Sequence, residues 1–130
     1  MPADRTYTLA EANALVPQVR AALLQLAVQQ RRLAEAVQSH RAQLDVDGGP
    51  DHAAEARRRE GAIAEIAEGM EALLSLLAGL GVQVRDLERG LVDFPAERDG
   101  NRVWLCWQLS DPDVSYWHGT DEGYVSRKPW

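Results

Sequence analysis

Along the first third of the chain, apolar side chains recur on alternating steps of three and four. Leu9, Ala12, Val16, Val19, Leu23, Leu26, Leu33, Val37 and Leu44 all fall on this seam, which only Gln30 and His40 interrupt. Such a spacing brings one row of side chains to one side of an α-helix and to no single face of a strand. It predicts a helix of roughly 35 residues, about 50 Å long at ~1.5 Å per residue. Thr8-Leu9-Ala10-Glu11 reads as the start of that helix. A threonine at the N-cap and a glutamate three residues on can each accept a backbone N–H that the first turn leaves unpaired. Pro17 lies inside the segment and predicts a kink, or a short first helix that restarts.

The clearest break is Asp45-Val46-Asp47-Gly48-Gly49-Pro50-Asp51, two glycines and a proline among acids. Beyond it the seam resumes with Arg59, Ile63, Ile66, Met70, Leu73, Leu77 and Leu80. A turn between two seams predicts an antiparallel helical hairpin over residues 8–80. Gly69 inside the second helix is read as a point of close helix approach. The glycine of Ala78-Gly79-Leu80-Gly81-Val82 is read as a C-terminal cap. Near the root the apolar face widens through Leu15, Leu24, Val28, Leu74 and Leu76, which calls for a cover. A hairpin of this length buries little surface alone, so dimerisation through the helices into a four-helix arrangement is expected. His40 and His52 flank the turn and are read as polar tip residues rather than as a shared metal site.

From Val82 the period changes to two. Leu91–Ala96 and Arg102–Leu109 read as strands around the turn signal Asp99-Gly100-Asn101, and Val114–Trp117 as a short third strand. If that turn loops out residues 98–101, Asp93 pairs directly across from Cys106. Two registers of the third strand remain open. In one, Tyr116 and His118 join Asp93 and Cys106 on one face; in the other, Trp117 joins them and His118 turns to the core side. The expected fold is therefore α+β: a long antiparallel helical hairpin with a small C-terminal antiparallel β-sheet packed at its root, residues 82–130. The whole forms one domain of 130 residues.

Charge and cysteine usage narrow the function classes. The formal net charge is −6, with a single lysine, Lys128, so a basic nucleic-acid-binding surface is not expected. One cysteine excludes an intrachain disulfide, no secretory leader is visible, and no apolar run reaches the ~20 residues of a membrane span. A cytoplasmic location without membrane association follows as the expectation.

Chemistry concentrates near the C-terminus. His118, Asp121 and Glu122 stand close together in a loop with Gly119 and Gly123. Imidazole and carboxylate are ligands for Zn, Fe or Mn, and His118 and Glu122 with Asp93 or Glu11 can supply the three protein ligands of a divalent metal. The same groups can serve as an acid–base pair, or His118 can simply hydrogen-bond a carboxylate and fix the loop. Glu11 also reads as a capping residue alone. Cys106 is read as a small buried hydrophobe, since no cationic neighbour is evident. Trp104, Trp107 and Trp117 are read as core and cover residues, with an aromatic-walled ligand pocket as the sharper option. Arg127 is a candidate anion clamp, or else a salt-bridge partner of Asp93, Asp121 or Glu122.

The motifs Glu11-Ala12-Asn13-x-Leu15-x-Pro17, Gly90-Leu91-Val92-Asp93-Phe94-Pro95-Ala96-x-Arg98-x-Gly100, Val103-x-Leu105-Cys106-Trp107 and Tyr116-Trp117-His118-x-x-Asp121-x-Gly123 together resemble the bacterial family known as domain of unknown function 2203. The resemblance spans nearly the whole chain. It implies that Glu11, Asp93, Trp107, Trp117, His118, Gly123 and Arg127 belong to a recurring motif, and it supplies no catalytic role. It also implies a Gly-Glu pair where Ser110-Asp111 stands here, and a lysine in place of Arg85. Two functions from different classes follow: a dimeric interaction or structural module built on the helices, and a small metal-binding protein, enzyme or not, with its site at the sheet end.

Overall fold

The computed structural model describes residues 5–46 and 48–130; Asp47, in the middle of the expected turn, and residues 1–4 lie outside the described residues. Two long helices packed as a hairpin, α1 (Leu9–Leu44) and α2 (His52–Gly79), precede five antiparallel strands. These are β1 (Gln83–Asp86), β2 (Leu91–Arg98), β3 (Asn101–Trp107), β4 (Tyr116–Gly119) and β5 (Lys128–Pro129), in the spatial order β1-β2-β3-β4-β5. The chain is α+β. No helix among the described residues is long and apolar enough to cross a membrane.

Contacts divide the chain into two compact units: residues up to Leu24 together with Ser75–Trp130, and Gln25–Leu74. In the first, α1 starts with the reciprocal cap that its sequence encodes. The Thr8 N–H donates to Glu11 Oε1 at 2.8 Å, and the Glu11 N–H to Thr8 Oγ1 at 3.1 Å. These bonds hold the Glu11 carboxyl below the usual carboxylate range, the one from the Thr8 backbone most. Contrary to a restart at Pro17, α1 runs unbroken through it for 36 residues. Proline removes one i→i−4 bond, to the carbonyl of Asn13, and the rest of the ladder carries the helix on.

The α2 terminus is a Schellman motif. Gly81 has φ 77°, the Val82 N–H reaches Leu77 O at 3.1 Å, and the Gly81 N–H reaches Ala78 O at 2.9 Å. Val82 and Leu77, the pair that this motif brings together, are both buried.

The sheet register sorts the side chains. Val92, Phe94 and Ala96 pair with Trp107, Leu105 and Val103 across β2–β3, and all six are buried together with Ala12, Val16, Val19 and Leu23 of α1 and Leu77 of α2. This face is the core at the hairpin root. Arg20 stacks on Trp107 there, its guanidinium carbon 5.4 Å from the ring centroid. Asn13 ties the β3–β4 connection to α1, its Oδ1 accepting from the Val114 N–H at 2.8 Å and its Nδ2 donating to Val114 O at 3.0 Å. Tyr7 joins the N-terminal segment to both neighbours. Its N–H donates to Pro95 O at 2.7 Å and its hydroxyl to Leu80 O at 2.6 Å. Pro95 is tolerated because β1 pairs only with the first residues of β2, so no ladder N–H is required at that position.

The root departs from expectation in one respect: the sheet does not cover the whole widened apolar face, since Leu24 and Leu76 stay exposed. Their side chains lie outside the row that faces the core.

In the second unit the seam pairs the helices. Arg59 Nε donates to His40 Nδ1 at 3.2 Å, which makes His40 a seam partner rather than half of a metal pair with His52. Leu33, Val37, Ile63, Ile66, Met70 and Leu73 are only half-buried. Gly69 does not mark a close approach, because a Cβ built there meets nothing within 4 Å.

Candidate metal centre

The β2–β3 turn fixes the geometry of the other sheet face. Asp99 and Gly100 both have positive φ (53° and 80°) and close a two-residue hairpin in which Arg98 pairs with Asn101. Counting back from that pair sets Asp93 opposite Cys106, and β4 continues the row with Trp104↔His118 and Cys106↔Tyr116. Of the two registers open to the third strand, the structure takes the one that places Tyr116 and His118 beside Asp93 and Cys106.

Three buried side chains converge there. Ligand atoms of Asp93, Cys106 and His118 lie within 4.8 Å of one another. His118 Nε2 stands 3.0 Å from Asp93 Oδ1 and 3.1 Å from Oδ2, while Nδ1 lies 2.8 Å from the Gly119 carbonyl. A carbonyl only accepts, so Nδ1 carries a hydrogen and Nε2 turns towards the carboxylate. Two lone-pair-bearing groups then face each other, and some cation must lie between them. A proton serves, and so does a metal ion. Arg85 Nε donates to Asp93 Oδ2 at 2.9 Å, and the guanidinium stacks on Trp104 at 5.0 Å from the ring centroid. Both candidate ligands are thus oriented from behind, His118 by a carbonyl and Asp93 by an arginine, the pattern that supports metal ligands elsewhere.

The Cys106 thiol is pushed up to about 11, by burial first and by the Asp93 carboxylate second. A cationic neighbour is nevertheless present, contrary to the sequence reading: Arg127 acts on the sulfur in the opposite direction. Arg127 itself pairs with Asp111 through two bonds, at 2.7 and 3.2 Å, and not with Asp93, Asp121 or Glu122. Asp111 hydrogen-bonds raise the Arg127 pKa. The guanidinium also lies over the Tyr116 and Tyr124 rings, at 4.2 and 4.4 Å.

A cavity of about 300 Å³ opens beside the triad, with Arg85, Thr120, Glu122 and Tyr124 in its lining. Glu122 Oε1 accepts from the Gly119 N–H at 2.8 Å and from Lys128 Nζ at 3.1 Å, which hold its carboxyl below the usual range, the backbone bond most.

A model of the family described as an uncharacterized conserved protein, DUF2203, matches residues 5–130. The chain belongs to the DUF2203 family. Neither a curated protein nor a solved structure matches it.

Placed on the fold, the motif residues of this DUF2203 chain separate by role. Asp93 and His118 meet in the triad, and Glu122 lines the same cavity. Glu11 caps α1 and lines a different cavity, with Tyr7, Glu97 and Trp130. Trp107 and Trp117 lie on the opposite face of the sheet from the triad; Trp117 is flanked by Arg98 and Lys128 at 4.9 and 4.3 Å. The tryptophan on the triad's own face is Trp104. Cys106, read from sequence as a small hydrophobe, is the third candidate donor of the triad. Its signal lay in the strand register, which set it directly across from Asp93.

Proposed function

We propose that this DUF2203 protein binds a divalent transition metal through Asp93 Oδ, Cys106 Sγ and His118 Nε2. The observation that carries the reading is the confrontation of His118 Nε2 with both oxygens of Asp93, beside a buried thiol. One nitrogen, one sulfur and one oxygen donor suit zinc or iron better than a hard cation such as magnesium. Three protein ligands beside a cavity is the donor count of sites that keep a coordination position for an exogenous group, whereas structural zinc sites use four. Binding requires Cys106 to give up its proton, so occupancy rises with pH.

Metal analysis of untagged protein, followed by cobalt(II) titration, tests this. The expected result is stoichiometric metal and a near-ultraviolet sulfur-to-cobalt band. That band disappears in Cys106→Ala, and metal retention is lost in His118→Ala. Folded wild-type protein that neither retains metal nor develops the band would refute the reading.

A second reading concerns the helices. Beyond the buried Leu26, the apolar seam of the Gln25–Leu74 unit is at most half-buried, and Val28 and Leu44 are about half exposed. Association of two hairpins would bury that surface, at roughly 25 cal/mol per Å². Light scattering is expected to give a dimer mass, and Leu33→Glu with Val37→Glu to give a monomer with the same sheet. A monomeric wild type at high protein concentration rules this reading out.

A further inference from the structure

We infer that the cavity beside the triad receives a small monoanionic carboxylate, held between the bound metal and the free edge of Arg85; this rests on the metal-binding reading. Three observations converge on it. The first is the state of Arg85. Its Nε is committed to Asp93, and its plane is set by stacking on Trp104. Its two terminal nitrogens have no partner among the described residues, and the side chain is 43 % exposed. An arginine held at Nε and over its face presents the remaining Nη1–Nη2 edge in a fixed orientation. That edge matches the two oxygens of a carboxylate.

The second observation is charge. A dication bound by the Asp93 carboxylate and the Cys106 thiolate is neutral overall, since His118 contributes none. Arg85 then leaves one positive charge at the cavity wall. Glu122, the other charged group in the lining, is offset by Lys128. The charged groups of the lining therefore balance one negative charge.

The third observation is Tyr124. Its hydroxyl accepts from Gln108 Nε2 at 3.0 Å, so its own hydrogen is available to a ligand in the cavity that it lines. The ring is held by Arg89 and Arg127, whose guanidinium carbons lie 4.2 and 4.4 Å from its centroid. A volume of about 300 Å³ admits a ligand of a few heavy atoms.

The test uses the cobalt(II)-loaded full chain with acetate as the probe and phosphate as the dianionic comparison. Acetate is expected to shift the visible cobalt bands in a saturable way, with phosphate weaker. Arg85→Gln should weaken acetate at least tenfold, and Arg85→Lys, which keeps the charge without the fork, should fall between. Cobalt bands that acetate does not move, or moves equally in wild type and Arg85→Gln, overturn the carboxylate inference while leaving the metal reading intact. Absence of cobalt bands in the wild type overturns both.

Discussion

His118 Nε2 lies 3.0 Å from Asp93 Oδ1, with both side chains buried and each held from behind by a further hydrogen bond. In metal-free protein, Asp93→Ala leaves His118 Nε2 without its partner and frees Arg85. Loss of one member of a buried pair costs roughly 3–5 kcal/mol. Asp93→Asn can still accept from Arg85 and donate to Nε2, so its cost should be clearly smaller. Urea denaturation of the two variants after chelation checks the order, and equal losses would contradict the hydrogen-bond assignment.

Cys106 gives a stability term confined to alkaline pH. Its thiol moves from 9.0 to about 11 on folding, so between those values the native state keeps a proton that the unfolded chain has lost. Stability should therefore fall as pH rises from about 9 and level off above 11, by on the order of 2 kcal/mol. Burial also raises Tyr7, but from 10.0, so its loss begins later. Denaturation midpoints of metal-free protein across this range should flatten between pH 9 and 10 in Cys106→Ala.

The glycines divide into two classes. Gly61 and Gly69 lie inside α2 with open space around a built Cβ, so alanine at each should stabilise by about 0.4–1 kcal/mol. Gly90 has φ +64°, and a Cβ there would stand 2.3 Å from Leu109 Cγ. Gly90→Ala should destabilise by more than about 1 kcal/mol. Thermal unfolding of the three variants should show two melting temperatures raised and one lowered.

Asn13 holds both backbone groups of Val114, at 2.8 and 3.0 Å. Asn13→Ala strands a donor and an acceptor at a buried residue and should cost about 2–3 kcal/mol in total. Hydrogen exchange at the Val114 amide should accelerate in the variant while the Leu105 amide stays protected. Unchanged exchange at Val114 would show that the connection is held by other contacts.

Residue patterns foretold the parts of this fold that long repeats or strict local chemistry specify. The α1 seam, the Thr8–Glu11 cap and a glycine terminator within Ala78–Val82, which the structure shows to be Gly81, each rest on a few residues with one satisfactory arrangement. Placing Asp93 across from Cys106 needed only the Asp99-Gly100 turn. The edge strands were not legible: β1 is four residues long and β5 only two, with one turn of helix before it, too short for alternation to register. Asp111 as the partner of Arg127 was equally hidden, because the two stand sixteen positions apart in loops on either side of β4. The uncovered Leu24 and Leu76 show the complementary limit: a wide apolar stripe reveals surface to be buried, not what buries it.

Asp93, Cys106 and His118 are donated by three neighbouring strands, one each. A cation among them would act as a rivet through β2, β3 and β4, and no fragment short of those three strands can grip it. The sheet forms without the ion, so a bound cation would add its own grip to pairings already made, and parting any one of the three strands would let it go.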